Sequence, residues 1–465
     1  MSVAEAHPRF NKRPVAAARL VPPFPTPPTR PLGTLERIRA IRINPIASFS
    51  QAAYDEEVLV GKFFGRNSFT LNTPAAIRHV LVDNYENYQR TRAGIRVLRP
   101  ILGEGLLLAE GLNWRTQRRT LAPAFTPKAV NLLVPHILSA TNETLGRMVG
   151  RTRVPVDLQE AMQILALEIA GRTMFSLEMG QHGADLRAFV TEYGERSAQA
   201  HFLDLVLPLS WPSPRDIRRH FFRKRWTAFM AKLMDVRRSA GGDGSAPRDL
   251  FDLMVAARDP DTGQAFTPEQ LGDQVATMIL AGHETTAVAL FWSLYCLALD
   301  EDAQERLAEE ALRAMRDGEP EIGDLTYTRA VIDEAMRLYP PAFMIVRAAK
   351  GPDKVEGRPV GKGDIMIMSP WILHRHNKLW SEPNAFMPER FLPDAPPIDR
   401  FAYLPFGVGP RICIGAHFAL TEATLVLAKL IGTFRVSLLD RAPVMPIGVV
   451  TTRPDRAPMF RIERR

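Results

Sequence analysis

The segment Phe406-Gly-Val-Gly-Pro-Arg-Ile-Cys-Ile-Gly415 gathers the residues best suited to chemistry. Its cysteine, Cys413, comes just before a helical run, Ala416 to Leu420. Free backbone N–H groups and the positive end of a helix favour a thiolate over a thiol. Gly407, Gly409 and Gly415 remove side chains where something flat and bulky would press on the backbone. Arg411 adds a positive charge that could pair with a carboxylate or support the thiolate. A structural cysteine at a glycine-rich turn is the alternative reading of the same residues. The other cysteine, Cys296, lies in the apolar run Trp292 to Leu299 and reads as a small core residue.

Three further groups could do chemistry. In Ala281-Gly-His-Glu-Thr-Thr286, Gly282 weakens a helix but lets a ligand approach its backbone. A threonine hydroxyl there can compete for backbone bonds. Glu284 and Thr285 make an acid–alcohol pair that could relay protons, although Glu284 alone reads equally as an acid with no role. His283 is assigned no ligand role. Glu334 and Arg337, at i,i+3, share a helix face and can pair. Trp114, Arg115, Arg118 and Arg119 place cations beside an aromatic ring, which also describes a solvated basic face.

Phe-Gly-x-Gly-x-Arg-x-Cys-x-Gly resembles the haem-binding loop of the cytochrome P-450 haem-thiolate monooxygenases. The remaining motifs follow in that family's chain order. The resemblance implies haem b as cofactor and Cys413 as the metal ligand, in a loop where Phe406, Arg411 and Gly415 meet the cofactor. Trp114-Arg-Thr-Gln-Arg118 resembles the helix whose tryptophan and arginine bond a propionate, with Arg347 as a further propionate partner. Glu334-Ala-Met-Arg337 and Pro388-Glu-Arg-Phe391, through Arg390, resemble the network that holds the loop. Ala281 to Thr286 resembles the oxygen-activation motif, with Glu284 and Thr285 catalytic. Expected pocket walls are Arg92 to Arg99, Phe202 to Leu207, Leu280 to Thr285, Ala342 to Val346 and Ile447 to Val450, with Ala281, Phe343 and Val346 facing substrate. These walls suit a fatty acid, terpenoid or steroid-like molecule. The implied reaction inserts one atom of O2 into it, with NAD(P)H electrons delivered by a separate ferredoxin and ferredoxin reductase. A haem-thiolate isomerase, a peroxygenase or a haem sensor would use the same fold.

The elements that must position these residues read as mainly helical with small β-sheets, and the resemblance implies the triangular cytochrome P-450 fold with a long central helix over haem. Val58 to Thr73 reads as a hairpin, Pro74 to Val82 as helix, and Gly111 to about Val346 as helix almost throughout. Ser239 to Arg248 reads as a surface loop, Pro352 to Pro405 as short strands and loops, Ile414 to Ile431 as the last helix, and Val444 to Ile462 as a hairpin. Val275 to Leu299 is apolar enough to resemble a membrane span, but His283 and Glu284 near its middle are expensive in lipid. Thr267, Pro268 and Gln270 give that stretch a soluble helix's capping box.

Composition is that of a globular protein: 465 residues, 46% apolar and 24% charged, which excludes disordered and fibrous classes. Two cysteines exclude a disulfide framework and fit a reducing, cytoplasmic setting. The net charge is +8, and ten lysines among 59 basic residues leave 49 arginines. No Lys/Arg block or zinc-finger spacing points to nucleic acid. The expected organisation is a mobile, proline-rich tail over residues 1–40 and a single catalytic domain over 41–465. The expectation is a monomer without a transmembrane anchor, with Arg115, Arg118 and Arg119 steering an acidic ferredoxin.

Overall fold

Thr267 starts the longest helix, Pro268–Leu299, and its capping box forms: Thr267 Oγ1 accepts from Gln270 N at 3.2 Å, and Gln270 Oε1 accepts from Thr267 N at 3.0 Å. The computed structural model describes residues 19–465 except 64, 153, 197–203, 205, 206, 210, 240–246 and 441. Because this helix is apolar all round, other elements must cover it. The helices Leu158–Phe175, Thr326–Leu338 and Ala416–Thr433 pack against it. Trp292 stacks on Tyr339 with ring centroids 3.9 Å apart, and its indole donates to Thr452 O at 2.7 Å. By length and hydropathy this helix could cross a membrane, yet 67% of its most apolar window is buried within the protein.

The expected first hairpin is present as Val58–Phe63 and Arg66–Leu71, paired antiparallel. It enters a five-stranded sheet in which Arg66–Leu71 runs parallel to Ile365–Met368, which pairs antiparallel with Ile345–Ala349, which pairs with Tyr88–Gln89. This sheet carries Arg347 to the site. Pro74 to Val82 is helical as a short α-helix, Pro74–Arg78, followed by a π-turn, His79–Asp83.

Two expectations change. Only Pro446–Gly448 and Thr452–Pro454 form the C-terminal hairpin. Pro458 interrupts it, and Met459–Arg464 pairs instead with Phe434–Leu438 and Val156–Asp157, burying Phe460 and Ile462. The proline-rich segment is fastened to the body from its first described residues. Leu20 and Phe24 pack on the core, Phe386 N donates to Leu20 O at 2.9 Å, and Tyr339 donates through its hydroxyl to Pro23 O at 2.7 Å. The helix Thr34–Ile43 follows. Residues 1–18, most of the expected wall Phe202 to Leu207 and most of the loop Ser239 to Arg248 lie outside the described residues.

Candidate active site

The cysteine loop is shaped by backbone that a side chain would not fit. Gly407 and Gly409 have φ of +69° and +76°. A Cβ on Gly409 would lie 2.2 Å from Leu81 O, so this glycine is required by the neighbouring backbone, not by a flat ligand. Cys413 N donates to Phe406 O at 2.9 Å, closing the loop, and Gly415 caps the helix Ala416–Thr433. The Cys413 side chain is exposed, whereas Cys296 is fully buried. Protein nevertheless crowds Cys413, and that desolvation raises its thiol pKa, opposed by the Gly415 N–H and the charge of Arg118.

Arg411 does not support the sulfur. Its guanidinium pairs with Glu110 at 2.5 Å, donates to Ala109 O at 3.0 Å and lies 4.5 Å from the centroid of the Trp114 ring. The cation that acts on Cys413 is Arg118, which also donates to Ile412 O at 2.8 Å. Trp114 and Arg118 sit on the helix Gly111–Leu121. That helix is tied to the central one by Gln117, which accepts from Gln274 Nε2 at 2.9 Å. The Gly103–Leu106 turn closes the same join: Glu104 N donates to Asp273 at 2.8 Å and Leu106 N to Gln274 at 3.0 Å.

Arg90, Arg347 and Arg411 crowd together around one acid, Glu110. Burial and then the neighbouring guanidiniums push Arg90 down to about 9 and Arg347 to about 10. Arg90 Nε lies 3.7 Å from Glu110 but makes no hydrogen bond among the described residues, where Arg347 donates only to Val346 O at 3.0 Å. The indoles of Trp226, Trp292, Trp371 and Trp380 each donate a hydrogen bond, while none is formed by the indole of Trp114 among the described residues. Guanidiniums in excess of their one acid, an indole N–H without a hydrogen bond and an exposed cysteine together fit a flat group bearing carboxylates. Haem, with its propionates, has that chemistry. Arg90 and Glu110 were not singled out in the sequence; only the acid's place before the helix Gly111–Leu121 marks Glu110.

The turn Ala281 to Thr285 interrupts the burial of the central helix. Ala281 is exposed, and a Cβ on Gly282 would meet nothing within 4 Å, so this turn faces open space. Thr285 Oγ1 donates to Ala281 O at 2.5 Å, the backbone competition expected of a threonine. Glu284 points elsewhere. Its carboxylate accepts from Thr451 Oγ1 and Arg453 Nε, both at 2.6 Å. The expected acid–alcohol pair is therefore not joined by a hydrogen bond. His283 is buried with Nε2 against Gln163 O at 3.2 Å, Nδ1 unpartnered, and burial lowers its pKa to about 4.

The expected network is complete. Arg337 and Glu334 are fully buried and joined by two hydrogen bonds at 2.7 and 2.8 Å, with Arg390 Nε 3.4 Å from the same carboxylate. Arg337 also donates to the carbonyls of His374, Pro383 and Ala385. His374, which the sequence did not mark, extends the network: Nδ1 lies 3.2 Å from Arg337 O, and Nε2 accepts from Leu404 N at 2.8 Å. Its imidazole is held neutral by burial and then by the charge of Arg337. The chain from Glu334 thus reaches the strand of residues leading into the cysteine loop.

Phe343 and Val346 line a cavity of about 1480 Å³ that opens between the helix Thr34–Ile43, the five-stranded sheet and the C-terminal hairpin. Ala281, Thr285 and Cys413 are not among its lining. The expected basic cluster is largely neutralised. Arg115 pairs with Glu86, and Arg119 pairs with Asp261 and, at 3.1 Å, with Asp259.

The cytochrome P450 family model matches residues 32–456. The chain is 31% identical over 379 residues to cyclooctatin synthase of Streptomyces melanosporofaciens, covering 80% of this chain and 81% of the relative. It is 30% identical to cyclooctat-9-en-7-ol 5-monooxygenase of the same organism (73% and 74% covered). It is also 32% identical to cytokinin hydroxylase of Arabidopsis thaliana, with 76% and 71% covered. In fold it is similar to the crystal structure of the cytochrome P450DA heme domain, at TM-score 0.82 and 23% identity, covering 96% of this chain and 99% of that one. The cysteine loop, the buried ion-pair network and the guanidinium cluster all fall within the matched region: the chain belongs to the cytochrome P450 family, is a monooxygenase, and takes the haem that membership implies.

Proposed function

We propose that this enzyme binds haem b through Cys413 and oxidises a terpenoid-like small molecule with electrons from NAD(P)H, delivered by a separate ferredoxin. When bound, a thiolate-ligated haem supplies the oxygen chemistry, and the protein supplies position, dryness and protons. Trp114, Arg118, Arg347, Arg411 and Arg90 hold its propionates; the bidentate, permanently charged guanidinium suits a carboxylate. Phe406 and Gly415 frame the loop around Cys413. Glu334, Arg337 and Arg390 fix that loop from below. Thr285 presents a hydroxyl at the open turn, and Glu284 carries protons toward it when released from Arg453. Ala281, Phe343 and Val346 face substrate. The terpenoid class is drawn from the names of the two Streptomyces relatives and the apolar lining at Phe343 and Val346. An acidic ferredoxin is drawn from the net charge of +8.

The observation that carries the reading is the environment of Cys413: an exposed side chain crowded by protein and beside Arg118, on a loop whose Arg411 shares one acid, Glu110, with Arg90 and Arg347. The test is a substrate panel screened first by spectral shift and then by product, with catalase present and NAD(P)H supplied through a ferredoxin chain. Product that forms only with NAD(P)H supports the reading. Product that needs peroxide instead, or forms without either, assigns a peroxygenase or an isomerase.

A further inference from the structure

Arg375 is a buried cation without an anion. It is 2% exposed and forms no ion pair among the described residues. Its five N–H donors find one long contact, Nη1 to Trp371 O at 3.5 Å, and its Nε is buried with no partner. The equally buried Arg219, Arg237 and Arg337 each meet a carboxylate. Burial lowers the Arg375 pKa to about 10, which still leaves it charged at neutral pH.

Aromatic rings meet part of this charge. The guanidinium carbon lies 3.7 Å from the Trp371 ring centroid, 5.8 Å from that of Tyr339 and 5.9 Å from that of Phe24. Rings attract the charge, yet the N–H edge of the guanidinium still lacks acceptors. Arg375 lines a cavity of about 270 Å³, together with Tyr54 and Asn384, that reaches the surface at Thr26, Gln51 and Asn377. Two more groups there lack partners. The Tyr54 hydroxyl accepts from Trp371 Nε1 at 3.0 Å, and its own O–H finds no acceptor among the described residues. Asn384 Oδ1 is buried without a hydrogen bond, and a half-turn of that amide presents its NH2 group instead. Donors in excess of acceptors around one cavity suit an anion.

We propose that this pocket binds one small monovalent anion, a halide or a carboxylate as small as formate, on Arg375, the Tyr54 hydroxyl and the Asn384 amide. One guanidinium offers one positive charge. A divalent anion would leave net negative charge in the interior, where desolvation is costly. The Asp55 carboxylate accepts from the rim amides of Gln51 and Asn377, which weighs further against a dianion. Phe24, Thr26 and Pro27 close the pocket on one side, so the anion also bridges the proline-rich segment to the body. The pocket shares no lining residue with the cysteine loop, and the inference does not depend on the haem reading.

The test unfolds the haem-loaded enzyme in urea at constant ionic strength, with bromide or formate replacing the bulky anion gluconate, and locates bromide in soaked crystals by anomalous scattering. Above its dissociation constant, each tenfold rise in the bound anion should raise the folding equilibrium constant about tenfold. A response to bromide, with bromide density beside Arg375, supports a halide site; a response to formate alone supports a carboxylate site. Arg375→Met should lose the response. Asn384→Asp, which places a carboxylate in the pocket, should lose it too, and it decides the matter if Arg375→Met does not fold. Bromide density in the pocket without any stability response marks an adventitious ion only and overturns the proposal. A response that survives either substitution, or a pocket that holds only water in both salts, overturns it as well.

Discussion

Glu284 is tied to Arg453, not to its sequence neighbour Thr285: the carboxylate accepts from Arg453 Nε and from Thr451 Oγ1, each at 2.6 Å. Arg453 belongs to the C-terminal hairpin strand Thr452–Pro454, so the far end of the chain sets where the acid points. A proton route through Glu284 then requires the carboxylate to leave the guanidinium. Losing one positioned proton-transfer group commonly costs about 10²–10⁴-fold in rate. Thr285→Ala should still bind haem and consume NAD(P)H but yield less product and more peroxide per NAD(P)H. Arg453→Gln, which leaves the Thr285 hydroxyl in place, should change turnover and its solvent isotope effect without raising peroxide. Product and peroxide counted per NAD(P)H check both; a Thr285→Ala ratio equal to wild type would refute the role of the hydroxyl.

The two cysteines should separate cleanly. Cys296 is fully buried in the central helix, and burial pushes its thiol up, so it stays a neutral core group. Cys413→Ser should lose the thiolate-type absorption of the reduced carbon-monoxide complex, while Cys296→Ser keeps it. Loss of that band in Cys296→Ser, at normal haem content, would reverse the assignment.

Arg337 anchors backbone as well as a carboxylate. It bonds Glu334 twice and three backbone carbonyls, and it stands at the root of the His374–Leu404 link to the cysteine loop. Removing one member of a buried pair leaves the other uncompensated, typically at about 3–5 kcal/mol. Arg337→Met should destabilise the protein by that order in urea unfolding and lower its haem content. Arg337→Lys should recover little, because one ammonium cannot replace the fork. A full recovery by lysine would show that charge alone matters here.

Docking of a redox partner should not depend on Arg115 or Arg119. Both are already matched to carboxylates, Glu86 for one and Asp259 and Asp261 for the other. Arg115→Gln should therefore change the apparent KM for an acidic ferredoxin by less than about two-fold, since exposed pairs contribute little. Steady-state turnover against ferredoxin concentration measures this. A large rise in KM would restore Arg115 to the docking face.

Local signals in the sequence foretold the pieces of the site, but not its cross-connections. The Thr267 capping box, the glycine loop before Cys413 and the Glu334–Arg337 spacing each act within a few residues, so periodicity and motif suffice. Arg453 with Glu284, Arg90 with Arg347, and His374 with Leu404 are contacts between distant segments, and 49 arginines give no single one a signal. The same limit applies to Gly409, whose need is set by Leu81 O from another element. The cluster at Arg115 to Arg119 reads in sequence as a solvated basic face or a docking face, because the acids that pair with Arg115 and Arg119, Glu86, Asp259 and Asp261, lie elsewhere in the chain.

Glu422 gives the protein an alkaline weakness that can be measured without activity. It is 3% exposed on the helix Ala416–Thr433, and burial alone raises its carboxyl pKa to about 8 from an ordinary value of 4.5. Folded protein therefore keeps a proton there that the unfolded chain releases above pH 4.5. Between those two values stability must fall as pH rises, by about 1.4 kcal/mol per pH unit for one proton, and level off above pH 8. His283 works in the opposite sense but at lower pH: lowered to about 4, it makes stability rise with pH only up to its ordinary value of 6.5. His374 and His376, also lowered, act in the same sense as His283 and alike in both proteins, so the difference between wild type and Glu422→Gln from pH 6.5 to 8 isolates Glu422. Urea unfolding across that range should show a midpoint that falls with pH more steeply for wild type than for Glu422→Gln, whose amide cannot ionise. Equal slopes in the two proteins would mean that Glu422 is already ionised in the fold at neutral pH.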